Sequence, residues 1–213
     1  MKTQTNSRKW ISSKLKTLKK AKLLKHLFLV HSKYNDRQIV NDKWTDCSFW
    51  YSERPQVGWI SAAAWLAGGV ALEEYAVEKL KAVGKDYGRC DLWFQLDAKN
   101  SFACEAKHGW VDLGDKKAKD KSLDILDSAQ SDFRKHLEKK HRRLALGFVT
   151  LTESKGHLKN IDLTVKEILK SVKKEKKCDA FLWLGASNGY ATENRKKGFK
   201  VKGLIILFRE IRD

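Results

Sequence analysis

Acidic residues are the scarce class in this chain of 213 residues. Asp and Glu number 26 against 44 Lys and Arg, a formal net charge of +18 with a pI near 9.7. Such a field attracts polyanions and makes their binding salt-dependent. Long apolar runs are also missing. Nothing approaches the ~18 residues of a membrane helix, so no membrane span is expected. The most apolar N-terminal run, Leu23–Val30, is interrupted by Lys25 and His26, and no small-residue cleavage site follows it, which argues against a signal peptide. The four cysteines, Cys47, Cys90, Cys104 and Cys178, form no CxxC pair and no zinc spacing. Reduced, buried thiols in a cytoplasmic protein are the expectation. There is one proline, Pro55, and no internal repeat or low-complexity linker. No GxSxG, Walker loop or dinucleotide fingerprint occurs. His136 and His141 lack the i, i+4 spacing of a helical zinc pair.

What is present is a globular composition, 42% hydrophobic, with room for one packed domain and an extension. The division expected is a basic helical extension and connection over 1–55 and a core domain over 56–213. Ser7 opens a stretch in which Ile11, Leu15, Leu18, Ala21, Leu24 and Phe28 recur every three or four residues. This predicts an amphipathic helix over 8–31. Lys14, Lys16, Lys19 and Lys20 fill its other face and are candidate phosphate contacts; an anionic membrane surface or a partner is the competing use. Removing residues 1–31 is then expected to weaken DNA binding and flatten its salt dependence. The aromatics between Tyr34 and Pro55 either stack on bases or pack under a loop.

The chain turns on the stretch from Gly88 to Lys107. Two apolar runs, Leu92–Leu96 and Phe102–Cys104, flank a polar turn, Asp97–Asn100, which predicts a β-hairpin. Asp91, Glu105 and Lys107 lie in or beside its strands. Glu105 and Lys107, two apart, share a face. A plain two-residue turn at Ala98-Lys99 pairs Asp91 with Ala106 and turns it away from Glu105. A β-bulge or an odd loop puts the two acids together, and such an irregularity is expected here. Buried carboxylates need a partner. Two of them beside a lysine point to a divalent cation.

Upstream, Ser61–Val83 reads as a helix whose apolar stripe is interrupted by Glu73, with Glu74 and Glu78 toward solvent. Glu73 either serves the site or pairs with Arg89. Downstream, 108–121 reads as a polar loop beside the site, with His108, Lys116 and Lys117 toward nucleic acid. Ser122 is read as the cap of a helix to about residue 140, with Gln130 interrupting its apolar face. Strands over 143–151, 180–184 and 201–208 and a helix over 161–172 complete a mixed sheet flanked by helices, α/β or α+β.

Asp, a hairpin, then Glu-x-Lys resembles the PD-(D/E)XK nuclease superfamily, the restriction-endonuclease-like fold. Glu73, Ala76, Leu80 and Gly84 resemble the glutamate, alanine, leucine and closing glycine of its first core helix. Cys90 stands where a proline would precede the aspartate. The resemblance spans about Trp59–Leu151. It implies a Mg²⁺- or Mn²⁺-dependent deoxyribonuclease, an endonuclease, with a non-cleaving nucleic-acid-binding module as the alternative. Asp91, Glu105, the Ala106 carbonyl and Glu73 would hold metal. Lys107 would orient or deprotonate the attacking water or stabilise the transition state. Gln130 either stands where members place a glutamine near the site or is a satisfied core amide. Arg89, His108, Lys116 and Lys117 would contact DNA, RNA being the other polyanion open to it; a homodimer is allowed.

Overall fold

A computed structural model of the chain describes residues 9–20, 22–40, 43–44, 47–80, 85–133, 141–154, 161–174, 178–185, 192–194 and 199–212. The elements run β1 (Lys9–Ser13), α1 (Lys16–Lys20), α2 (Leu23–Arg37), β2 (Ile39–Val40), β3 (Lys43–Trp44), a 3₁₀ turn (Ser48–Trp50) and α3 (Glu53–Leu66). Then come β4 (Val70–Leu80), β5 (Lys85–Asp97), β6 (Asn100–Asp112), α4 (Ala118–Phe133), β7 (Arg142–Glu153), α5 (Ile161–Lys174), β8 (Ala180–Gly185), β9 (Thr192–Asn194) and β10 (Phe199–Ile211). Eight strands form one sheet in the order β1-β8-β10-β7-β6-β5-β4, with β9 on β10. The β6–β7 pair is parallel, with α4 as its crossover, and the other pairs are antiparallel. The mixed α/β class agrees with the expectation. No helix among the described residues is long and apolar enough to cross a membrane.

The central strands are apolar on both faces, as sheets covered on both sides require. Alternation divides them. Leu144, Leu146 and Phe148 of β7 and Leu204, Ile206 and Phe208 of β10 pack with α1, α2 and α3. Ala145, Val149, Ile205 and Leu207 face the other way, onto α4 and α5. Leu15, Leu18, Leu23, Leu24 and Leu27 are buried in the first of these clusters. The N-terminal segment thus shares its sheet and its core with the rest of the chain, and cutting away 1–31 would strip both.

The structure corrects several elements. The single helix over 8–31 is instead β1, α1 and α2; its Ser7 cap lies outside the described residues. Lys9–Ser13 adds to the edge of β8, with Trp10 opposite Trp183. Lys22, at φ 55, breaks the path between α1 and α2. The helix expected over 61–83 is also displaced. It starts eight residues earlier, at Glu53, with Pro55 in a first turn that needs no donor there. It ends at Leu66 because Gly68 takes a left-handed φ of 84, and the Gly69 N–H closes back on the Ala64 carbonyl at 3.0 Å. Glu73 therefore lies on strand β4. The loop over 108–121 is strand as far as Asp112, because β6 continues in parallel register along β7 to Thr152. Ser122 sits inside α4, not at its cap, and donates to the Ala118 carbonyl at 2.7 Å. The remainder of that expected helix, 134–140, lies outside the described residues. Phe49 is buried in the core rather than free to stack on bases.

Leu27 tests whether the N-terminal segment is structural. Leu27→Ala should lower unfolding stability by about 2–5 kcal/mol in a single cooperative urea transition. A separate early transition, or an unchanged midpoint, would show the segment to be an appendage.

Candidate active site

The site is built on one irregularity. In the β5–β6 hairpin Asp97 pairs with Asn100, but Gln95 pairs with Ser101, so Leu96 is an extra residue. Asp97 holds the turn, accepting from the Lys99 N–H at 2.9 Å and the Asn100 amide at 2.7 Å. Beyond the bulge Leu92 pairs with Cys104, and one step further the same register sets Asp91 opposite Glu105. The bulge thus does what the spacing requires. The Asp91 carboxylate then takes over a ladder hydrogen bond, accepting the Ala106 N–H at 2.7 Å.

Burial, the Glu105 carboxylate beside it and Glu53 together push the Asp91 pKa up to about 7, against the Ala106 N–H, which favours the charged form. Glu105 is only 2% exposed. Its counter-ion is Lys79 of β4, with Nζ 2.7 Å from Oε1. Lys79 reaches Glu105 by crossing β5 at Gly88, where a Cβ would stand 2.6 Å from Lys79 Cδ. Cys90 and Cys104 lie together on the adjoining strands, with the Cys90 thiol donating to the Cys104 carbonyl at 3.2 Å. Both are free and buried, and burial pushes Cys90 up to about 11.

Lys107 stands between two helices. Its Nζ lies 2.9 Å from Asp132 of α4 and 3.9 Å from Glu53 of α3. Burial works against its ammonium, but Asp132, Glu53 and Asp91 outweigh that and hold its pKa above the ordinary lysine value. Burial raises the Glu53 pKa, Lys107 opposes the rise, and Glu105 adds to it; the His108 N–H donates to the Glu53 carboxylate. His108 itself meets Thr150 at 2.9 Å, and burial lowers its pKa to about 4, so it is neutral at pH 7.

The residues expected at the site therefore divide. Asp91, Glu105, Ala106, Lys107 and His108 come together. Glu73 does not supply the helix acid: it is exposed on β4, its carboxylate over Gly58. The acid at the helix is Glu53. Gln130 is directed to β10, accepting from Arg209 Nη1 at 2.5 Å, with Asp127 on the same guanidinium. The α4 residue at the site is Asp132. Arg89 pairs with Glu74 at 2.6 Å. Lys14 and Lys16 are exposed beside α1, Lys19 and Lys20 lie at its end, and Lys116 and Lys117 are exposed in the turn before α4. Sequence reasoning does not reach Glu53, Lys79 or Asp132. Ser52-Glu53-Arg54-Pro55, with a capping-type residue and a proline in the first turn, is the available signal for the first.

Among the described residues no group of three His, Cys, Asp or Glu forms a ready metal nest. The set that fits a hard cation is the Asp91–Glu105 pair. The Ala106 carbonyl is directed to the same neighbouring strand, since within a strand a residue's N–H and C=O point the same way and the Ala106 N–H meets Asp91. Burial first, and the neighbouring Glu105 carboxylate second, make the charged form of Asp91 costly there, a cost that a bound cation would relieve. No protein-family model, no curated protein and no solved structure matches the chain.

Two outcomes follow from these charges. Asp91 has a folded pKa near 7 against an ordinary 3.8. The folded state then binds the extra proton, and metal-free stability falls as pH rises from about 4 to 7. Asp91→Asn should remove that slope and be more stable than the parent by on the order of 2 kcal/mol at pH 8, with the gap closing near pH 4, read from urea melts in EDTA. Lys79→Met leaves Glu105 buried without its cation and should cost about 3 kcal/mol at pH 7. A melt equal to the parent's would mean the pair holds nothing.

Proposed function

We propose that the chain is a divalent-metal-dependent deoxyribonuclease, an endonuclease of the PD-(D/E)XK, restriction-endonuclease-like type. One observation carries the reading. The bulged hairpin brings two carboxylates, the buried Glu105 and the half-buried Asp91, to one place, with Lys107 next to them. Support for the type comes from the run α3, β4, hairpin, α4, β7 around that place. An acid from the first helix, Glu53, meets the hairpin's Asp and Glu-x-Lys, as the resemblance leads one to expect, although the residue differs from Glu73. The +18 charge suits a DNA partner.

Asp91, Glu105 and the Ala106 carbonyl would hold Mg²⁺ or Mn²⁺. When bound, such an ion activates water and neutralises charge on a scissile phosphate. The surrounding acids decide what Lys107 does. Asp132 and Glu53 keep its ammonium protonated, which makes it a poor general base. It serves instead as a fixed cation for the charge that develops on phosphorus oxygens. Asp132 and Glu53 hold it in position. Asp91 must be deprotonated to bind a cation, so at subsaturating metal the rate should climb with pH toward about 7, and saturating metal should move that rise to lower pH.

Plasmid, linear, single-stranded DNA and RNA should be incubated with Mg²⁺, Mn²⁺ or EDTA. Cleavage should require metal and disappear in Asp91→Asn and Glu105→Gln. Lys107→Met should keep near-parent DNA affinity and lose about 10²-fold or more in rate. Cleavage in EDTA, or a parent rate in Lys107→Met, would sink the mechanism. Binding without cleavage under every metal would leave the non-cleaving module.

A further inference from the structure

Beside the carboxylates lies a second charged group built differently. Glu74 is one of two non-glycine residues with positive φ among the described residues, at φ 50. That conformation is costly for a side chain with a Cβ and persists only where the surroundings impose it. It falls where Glu73 pairs with Leu92 and Tyr75 with Cys90, which sets Glu74 level with Asp91. The Glu74 carboxylate lies between two guanidiniums, one oxygen on Arg54 and the other 2.6 Å from Arg89 Nη1. Arg54 follows Glu53 on α3, and Arg89 precedes Asp91 by two residues on β5. The two arginines therefore flank the acids of the site.

Stability does not explain the arrangement. The Arg54 and Arg89 side chains are 77% and 71% exposed, and exposed pairs contribute almost nothing. What it does achieve is to hold two guanidinium forks converging on one oxyanion, with donors to spare. A planar fork matches phosphate as well as carboxylate.

We propose that Arg54 and Arg89 form a grip for one backbone phosphate of duplex DNA beside the Asp91–Glu105 site, and that Glu74 occupies the place of that phosphate when no DNA is bound. This rests on the nuclease reading for its position but not for its test. Glu74 keeps the two cations converged and must yield one or both when the strand enters.

Binding of a short fluorescein-labelled duplex is measured by anisotropy in EDTA at several salt concentrations, so that no cleavage intervenes. Arg54→Gln plus Arg89→Gln should weaken binding about tenfold and make the salt slope shallower by about 1. Each single change should lose most of that, because both act on one phosphate. Glu74→Gln removes the competing anion and should bind about threefold more tightly. Parent affinity and slope in the double variant would overturn the grip. So would an equal loss from Lys170→Gln on the exposed face of α5, since the effect would then be general charge. Weaker binding by Glu74→Gln would overturn the placeholder role. A parent that binds no duplex ends both this inference and the nuclease reading; normal binding by the double arginine variant with metal-dependent cleavage intact ends this one alone.

Discussion

Glu105 is a carboxylate with 2% of its surface exposed, and accommodating it is the constraint around which the site is arranged. An isolated buried charge costs several kcal/mol. Lys79 supplies one cation, and it reaches only because residue 88 has no side chain. Asp91 then crowds the same place and titrates near 7. Among the described residues Glu53 and Asp132 join these two acids, and the ammoniums that meet them are Lys79 and Lys107. A protein of net charge +18 thus gathers several of its few acids in one small region.

The hairpin makes this region by departing from regular pairing. Leu96 is the inserted residue that restores the parity of Asp91 and Glu105. Asp91 uses its carboxylate where a strand would use its backbone, on the Ala106 N–H. On the other side of β5, Glu74 leaves the extended conformation at the same level. β5 therefore departs from regular pairing toward both neighbours at Asp91, and again at Leu96 near the turn. Local strain at functional positions has this form: the surrounding sheet holds it in place.

Much of this arrangement is legible in the order of the residues. Alternation and turn chemistry specify the hairpin, and parity specifies an irregularity in it, because two acids fourteen residues apart cannot share a face without a bulge or an odd loop. The strands β7, β8 and β10 and the inner face of α4 at Leu123, Leu126, Ala129 and Phe133 show as apolar runs and periodicity. The helix and strand on either side of Gly68-Gly69 do not separate so cleanly. Leu66, Val70, Val77 and Leu80 fit a 3.6-residue stripe as well as a strand, and only the glycine pair marks the stop between them. That ambiguity is what places the helix acid at Glu73 instead of Glu53. At the N-terminus Lys9–Ser13 joins a sheet edge through long-range pairing with β8, which no local window contains. Lys79 and Asp132 are hidden for the same reason: their partners, Glu105 and Lys107, are distant in sequence and are specified only by the fold.

The charge arrangement also orders events at the proposed nuclease site. The net positive charge draws a polyanion from a distance, and screening weakens that pull as salt rises. Within the site the balance reverses, and a phosphodiester would bring another negative charge up to Asp91 and Glu105. Close approach is favourable only once a divalent cation has joined the two carboxylates and Asp91 has lost its proton. Lys107 does not substitute for that cation, because Asp132 and Glu53 already engage it. On the proposed reading, DNA association and entry of a phosphate into the carboxylate site would therefore be separable steps. The first would depend on salt and be indifferent to chelator; the second would depend on metal. On that reading the proposed Arg54–Arg89 grip, one residue after Glu53 and two before Asp91 in the chain, would hold the strand before a phosphate reaches the acids.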